Sequence, residues 1–245
     1  MKLAGIGGTN IDVPPFPYRE RAVSTPYGDA VVFISKMENG NEFLFLSRHS
    51  VLSPRDPGEI NYRANVYALY KLGVTHIIGI SSVGTCDYTF HLGSLCLISD
   101  FIDFTKSRPA SFEREHRKFR HTSMENVFNT ALNDELEKMI LERGIPYSGR
   151  TIYACTEGPR FETSAEVRIL RMLGAQIVGM TLIPEAPLCK DLGMDYTAIG
   201  IVANYCTGMT GEVTDSKIDS VMQERRKDTF DLCLDFLDTM QGSEK

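Results

Sequence analysis

Apolar runs of strand length alternate with amphipathic helical segments along the whole chain, and this alternation restricts the fold more than any other feature. A strand that is apolar throughout needs cover on both faces. Intervening helices supply it, so the pattern predicts an α/β domain. Strands are expected at Lys2 to Ile6, Ala30 to Ser35, Phe43 to Ser47, His76 to Ser81, Ser94 to Asp100, Thr151 to Cys155, Ile177 to Met180 and Tyr196 to Ala203. Helices are expected at Asn61 to Leu72, Asn129 to Arg143, Ser164 to Leu173, Pro184 to Leu192 and Asp215 to Met240. Val66, Leu69 and Leu72 share one side of the first helix. Ile218, Val221, Met222, Cys233, Leu237 and Met240 recur near the helical period in the last. Gly73, Gly144 and Gly174 stand where three of these helices should stop. The polar, irregular stretch Phe104 to Thr122 reads as a mobile loop. With no linker in sight, residues 1–245 are expected to form a single domain.

Bulk properties narrow the function classes. A net charge of -6 argues against a nucleic-acid partner held on a broad basic face. The basic run Arg225-Arg226-Lys227 reads as the solvated side of a helix. No apolar run is long enough to span a bilayer, so no membrane partner is expected. The first residues are too glycine-rich and too short in apolar content for an export signal, and the expected location is the cytoplasm. Six scattered cysteines form no C-x-x-C pair and read as buried free thiols. No His/Cys spacing implies a metal.

Chemistry concentrates at the predicted strand ends. The densest stretch is Cys155-Thr156-Glu157-Gly158-Pro159-Arg160-Phe161-Glu162-Thr163. There an aromatic ring and a carboxylate follow a Gly-Pro turn. Such a pair suits a flat heterocycle, the ring stacking on its face and the carboxylate accepting from its N–H edge. The same residues also fit a core phenylalanine and a helix-start glutamate. Gly7-Gly8-Thr9-Asn10 offers backbone N–H groups and a hydroxyl to an anion, or forms a plain tight turn. It departs from the dinucleotide fingerprint at Asn10. Arg48-His49 closes the third strand, where an arginine can give a phosphate a two-pronged contact or simply sit at the surface. Ser81-Ser82-Val83-Gly84-Thr85 forms either a hydroxyl-bearing lip beyond a strand or a Ser-rich turn. Met180-Thr181 can face a sugar and a phosphate, or lie in the core. Glu185 is a helix-start charge or a partner that orients Arg48. Asn204 sets a donor beside an acceptor, matching the purine position-6 group and N7, or it is a strand-end turn residue.

Taken in order, Gly7-Gly8-Thr9, Arg48-His49, Asn61-Tyr62-Arg63-Ala64-Asn65, Ser81 to Gly84, Thr156 to Glu162, Gly179-Met180-Thr181 with Pro184-Glu185, and Asn204-Tyr205 resemble the trimeric purine nucleoside phosphorylases and their 5′-methylthioadenosine phosphorylase branch. The resemblance covers Gly5 to Tyr205 with short gaps. It implies a central mixed, twisted sheet flanked by helices. It implies that purine nucleoside and inorganic phosphate, a co-substrate, are converted to free base and pentose 1-phosphate without a cofactor. Phosphate is implied at Thr9, Arg48, His49, Ser82 and Thr181. The nucleoside is implied against Ser81, Val83, Gly84, Phe161, Glu162, Gly179, Met180 and Asn204, with Arg48, His49 and Asn204 serving the reaction. A homotrimer is implied too, in which His121 of a neighbouring subunit closes the 5′ end of the sugar.

The methylthioadenosine branch commonly carries aspartate where this chain has Asn204 and serine where it has Glu162. The Glu162/Asn204 pair resembles the branch that takes 6-oxopurines. The chemistry agrees, because a carboxylate accepts from N1–H of hypoxanthine or guanine and finds no proton on N1 of adenine. Gly211 to Ile218 leaves the 5′-hydroxyl and 5′-methylthio alternatives open. A methylthioadenosine phosphorylase proper, a water-using nucleosidase and a non-catalytic nucleoside-binding protein are the competing readings.

Overall fold

The computed structural model describes residues 2–112 and 121–242. It contains the strands β1 (Leu3–Gly7), β2 (Arg19–Thr25), β3 (Gly28–Lys36), β4 (Glu42–Ser47), β5 (His76–Thr85), β6 (Leu95–Asp103), β7 (Tyr147–Cys155), β8 (Ile177–Gly179) and β9 (Asp195–Tyr205). The helices are α1 (Tyr62–Lys71), α2 (Thr130–Glu142), α3 (Ser164–Met172), α4 (Glu185–Asp191) and α5 (Asp215–Gly242). All nine strands join one mixed sheet, in the order β2-β3-β4-β1-β5-β8-β7-β6-β9. A further pairing of β9 with β5 closes β5, β8, β7, β6 and β9 into a ring, and β1 to β4 extend from it as an open arm.

The period of two along the strands divides the core. Ala4, Ile6, Leu44, Leu46, Ile77 and Val202 pack with α1 and α4 on one face. Leu3, Phe43, Phe45, Ile78, Ile80 and Ile201 pack with α2 and α5 on the other. A smaller cluster joins Val167 and Leu170 of α3 to Cys86, Val178 and Cys206. Helix ends follow their local chemistry. The side chains of Asn61 and Asn129 accept from the backbone N–H of Ala64 and Leu132, and Thr163 with Glu166 forms a capping box at α3. Gly73, Gly144 and Gly174 each take positive φ just beyond a helix, as expected of such stops. All six cysteines are buried free thiols. Among the described residues no helix is long and apolar enough to cross a membrane.

Three differences from the sequence expectations have physical causes. β2 is an additional strand; its residues are mostly exposed and it opens on the charged run Arg19-Glu20-Arg21, as suits a sheet edge, so no apolar run announces it. β5 continues through Ser81-Ser82-Val83-Gly84-Thr85, which is strand rather than a turn beyond it. The expected loop at Phe104 to Thr122 is anchored where it is described, with Arg108 and Phe112 packed inside; residues 113–120 lie outside the described residues.

The path of β5 creates the crevice. Its first residues lie between β1 and β9, pairing His76 to Gly79 with Leu3 to Ile6 on one side. β1 then stops at Gly7, while β5 runs on until Gly84 and Thr85 pair with Val178 and Ile177 of β8. A gap opens between the end of β1 and the end of β8. The carboxyl ends of the parallel strands β1, β4, β5 and β9 border it, as at the strand-end crevices of other α/β sheets.

Candidate active site

A single cleft fills this gap, enclosing about 710 Å³ of atom-free space with its solvent-filled mouth included. Thr9, Arg48, His49, Ser81, Ser82, Val83, Gly84, Phe161, Glu162, Gly179, Met180, Thr181 and Asn204 all line it. His121 is the exception. It is exposed, and the adjacent Thr122 donates to Asp191 at the far end of α4.

One end of the cleft is built for an anion. A turn after β1, closed by Ile11 N–H donating to the Gly8 carbonyl, brings the backbone against Arg48 and His49. A Cβ on Gly8 would stand 3.1 Å from Arg48 Nη1 and 3.3 Å from His49 Nε2, so the lack of a side chain permits the approach. No helix follows β1 before α1, so the Gly5-to-Asn10 segment is not a dinucleotide-binding turn. Ser81 Oγ lies 3.4 Å from Thr181 Oγ1, placing two hydroxyls side by side. Thr181 is held by its backbone N–H, which donates to the Tyr153 hydroxyl at 3.1 Å.

Arg48 corrects the expectation attached to it. It is neither at the surface nor free to grip a phosphate with two prongs. Its side chain is fully buried, and Nε and Nη2 donate to Glu185 Oε2 and Oε1 at 2.8 and 2.9 Å. Nη1 donates to the Ile80 carbonyl and Nη2 also to that of Ile6. A guanidinium has five N–H groups, so one N–H on Nη1 remains for the cleft. Burial alone would lower the Arg48 pKa. The charge and hydrogen bonds of Glu185 outweigh it, and the guanidinium is held more firmly protonated than usual. Glu185 opens α4 and pairs with Arg48, so both of its expected roles hold together. Tyr196 adds a hydrogen bond, its hydroxyl donating to Glu185 Oε1 at 2.6 Å.

His49 Nδ1 lies 2.8 Å from the Arg55 carbonyl. A carbonyl only accepts, so Nδ1 carries the hydrogen and neutral His49 presents a lone pair at Nε2. Burial pulls the His49 pKa below its ordinary value against the opposing effect of that carbonyl, and the Arg48 charge adds to the lowering.

The other end of the cleft is built for a flat, hydrogen-bonding group. Phe161 is 36% exposed and lines the cleft, so it is not the core residue its bland reading required. Glu162 is buried directly before the α3 cap, and its Oε1 accepts from the Thr156 hydroxyl at 2.6 Å. Asn204 stands at a bulge: Val83 pairs with Val202 and Gly84 with Asn204, leaving Ala203 as the extra residue. Its Nδ2 donates to the Tyr205 carbonyl at 3.0 Å, which fixes the orientation of the amide. Met180 closes the wall between the two ends.

Some residues of the site were not assigned to it individually from sequence. Val213, just before α5, and Ile218, in its first turn, reach the cleft. The start of α5 is tied to the anion turn, Asn10 Nδ2 donating to Asp219 Oδ1 at 2.6 Å. Arg108 braces the back of the cleft. It donates to the carbonyls of Met180, Ile183 and Glu157 at 2.6, 2.8 and 2.7 Å, and pairs with Glu157 at 3.1 Å. Its only sequence cue was its place in a stretch that otherwise looked polar and irregular. Among the described residues no group of His, Cys, Asp or Glu could hold a metal ion.

A 6-oxopurine nucleoside phosphorylase of Pyrococcus furiosus is 40% identical over 95% of this chain and 91% of its own length. A probable S-methyl-5′-thioinosine phosphorylase of Methanothermobacter thermautotrophicus is 36% identical over 93% of this chain and 80% of its own. Among solved structures, a mutant adenosine/methylthioadenosine phosphorylase from Schistosoma mansoni in complex with methylthioadenosine superposes with a TM-score of 0.90. It is 25% identical, over 98% of this chain and 92% of that one. The family model of the phosphorylase superfamily matches residues 3–238, almost the whole of the sheet and its helices, and the chain belongs to that superfamily.

Proposed function

We propose that this protein catalyses the reversible phosphorolysis of 6-oxopurine nucleosides, releasing the free base and pentose 1-phosphate. One observation carries the reading. Glu162 and Asn204 share a single cleft with the hydroxyls, glycine turn and Arg48–His49 pair of its opposite end. A carboxylate meets the N1–H of a 6-oxopurine. Asn204, its amide oriented by Tyr205, turns a second N–H to O6 and accepts from protonated N7. Phosphate is assigned to the Gly8–Thr9 turn, Ser82, Thr181 and the remaining N–H of Arg48, with His49 Nε2 accepting from the P–OH of a monoprotonated phosphate.

In the proposed step the C1′–N9 bond stretches and leaves positive charge on the sugar. Phosphate, held behind C1′, stabilises that charge and then bonds to C1′, while the bond electrons pass into the purine. The base takes its proton at N7 from water, since a neutral amide is not an acid in this range. Positioning and electrostatics carry the acceleration. Neither substrate gains or loses electrons to a third component, so the reaction takes no redox cofactor.

The 5′ end is assigned to Val213 and Ile218, beside the anion turn. Two apolar side chains there favour a 5′-methylthio group over a 5′-hydroxyl. The similarity to a probable S-methyl-5′-thioinosine phosphorylase of Methanothermobacter thermautotrophicus supports this second reading. We further propose a homotrimer in which His121 comes from a neighbouring copy. Phe104 and Ile169 are exposed and line a second cleft beside Glu162, an apolar surface of the kind that copies cover.

The test is release of free base from inosine, guanosine, adenosine, methylthioinosine and methylthioadenosine, with and without phosphate. The expected outcome is phosphate-dependent release, greater from the 6-oxo member of each pair. Release without phosphate would make the protein a hydrolase, and tight binding without release a non-catalytic binder.

A further inference from the structure

Thr156 touches Glu162 from the side away from the nucleoside. It lines the second cleft, not the cleft assigned to substrate, and Glu162 forms part of the wall between the two. Its position is fixed by the sheet: Thr156 N–H donates to the Gly179 carbonyl at 2.9 Å, at the end of β8. Its hydroxyl donates to Glu162 Oε1 at 2.6 Å, a short charge-assisted bond.

The carboxylate needs such a restraint. Lys106 and Arg160 also line the second cleft, and Arg160 is near enough to feel the Glu162 charge. Arg160 turns both terminal nitrogens to Glu166, whereas Thr156 bonds Glu162 directly. A Coulombic attraction sets no bond angle at the oxygen, whereas a hydroxyl bond anchored to the sheet holds one oxygen in one place. With Oε1 held, Oε2 keeps its lone pairs for the base edge. A carboxylate accepts only, so this geometry suits the N1–H of a 6-oxopurine and opposes the bare N1 of a 6-aminopurine.

We propose that Thr156 is a positioning residue that sets purine selectivity by fixing the Glu162 carboxylate against the substrate cleft. The inference rests on the phosphorolysis reading above. Its test is Thr156→Val, which keeps the shape and removes the hydroxyl. Steady-state kinetics would be measured with methylthioinosine, methylthioadenosine, inosine and adenosine, varying nucleoside and phosphate separately. The expected result is a loss of about tenfold or more in kcat/KM for the 6-oxo substrates. The 6-amino substrates should change little and the KM for phosphate should hold, so the 6-oxo to 6-amino ratio collapses. Thr156→Ser should restore the ratio. A purely structural role would lower all substrates together and would not be rescued by one hydroxyl. Thr156→Ala serves if the valine variant does not fold. An unchanged ratio in the folded variant overturns the proposal. Glu162→Gln separates the two ideas: if it loses 6-oxo preference while Thr156→Val keeps it, only the role of Thr156 falls. If neither changes the ratio, the base-binding role of Glu162 falls as well.

Discussion

Arg48 and Glu185 stand in the protein interior as an ion pair with both guanidinium prongs committed, 137 residues apart in sequence. Such a pair is a fixed piece of architecture before it is a ligand. It spans β4 and α4, and through the carbonyls of Ile6 and Ile80 it also reaches β1 and β5. Removing one member strands the other charge in a low-dielectric site. Arg48→Met is therefore expected to cost about 3–5 kcal/mol of stability. Adding Glu185→Met should return part of that loss, because the stranded carboxylate then disappears. Denaturant unfolding of the two singles and the double measures the coupling. Additive losses would show that the pair is not a coupled unit. The resemblance of the ordered motifs to nucleoside phosphorylases put Arg48, His49, Glu162 and Asn204 in one site, whereas each residue alone also fitted a structural role. Sequence alone could not tell the ligand of Arg48 from its partner, since a phosphate and a buried carboxylate ask the same of a guanidinium.

At the scale of elements, the site is made by β5 leaving β1 and by the bulge opposite Gly84. The alternation of apolar runs showed most strands and all five helices, because burial on two faces leaves an unbroken apolar run. It did not show that β5 extends to Thr85. The tail of β5 is hydroxyl-rich because it borders a polar cleft, and a strand with one side facing substrate loses the pattern that marks strands. Arg108 was illegible for a related reason: beside Glu157 it bonds backbone carbonyls of two distant loops, which no side-chain pattern records. The bulge makes its own prediction. A Cβ on Gly84 would stand 3.0 Å from both Asn204 Nδ2 and Cys206 Sγ, so Gly84→Ala must push the amide from its place. Nucleoside kcat/KM should fall about tenfold, and the KM for phosphate should change less, because the methyl group meets Asn204 and Cys206 rather than a phosphate ligand. Equal losses for both substrates would mean that the methyl group disturbs the whole sheet rather than the amide.

For the whole molecule, the open question is where the site ends. Within one chain every expected residue but His121 borders the cleft, and His121 lies out by Thr122 and Asp191. If the proposed trimer is the working unit, each site combines Glu162 of one copy with His121 of the next. The arrangement can be tested without a structure of the assembly. His121→Ala and Glu162→Ala each disable every site in a pure trimer. When the two variants are unfolded together and refolded at equal concentration, a site regains both native residues if a His121→Ala copy supplies Glu162 and its neighbour is a Glu162→Ala copy. Random mixing gives that combination in about a quarter of sites, so activity should rise toward about a quarter of the native value. Separately refolded variants, mixed afterwards, should stay at their own low level until subunits exchange. Activity that never exceeds the mean of the two parents would place each site within a single chain, and a His121→Ala trimer with native activity would remove His121 from it.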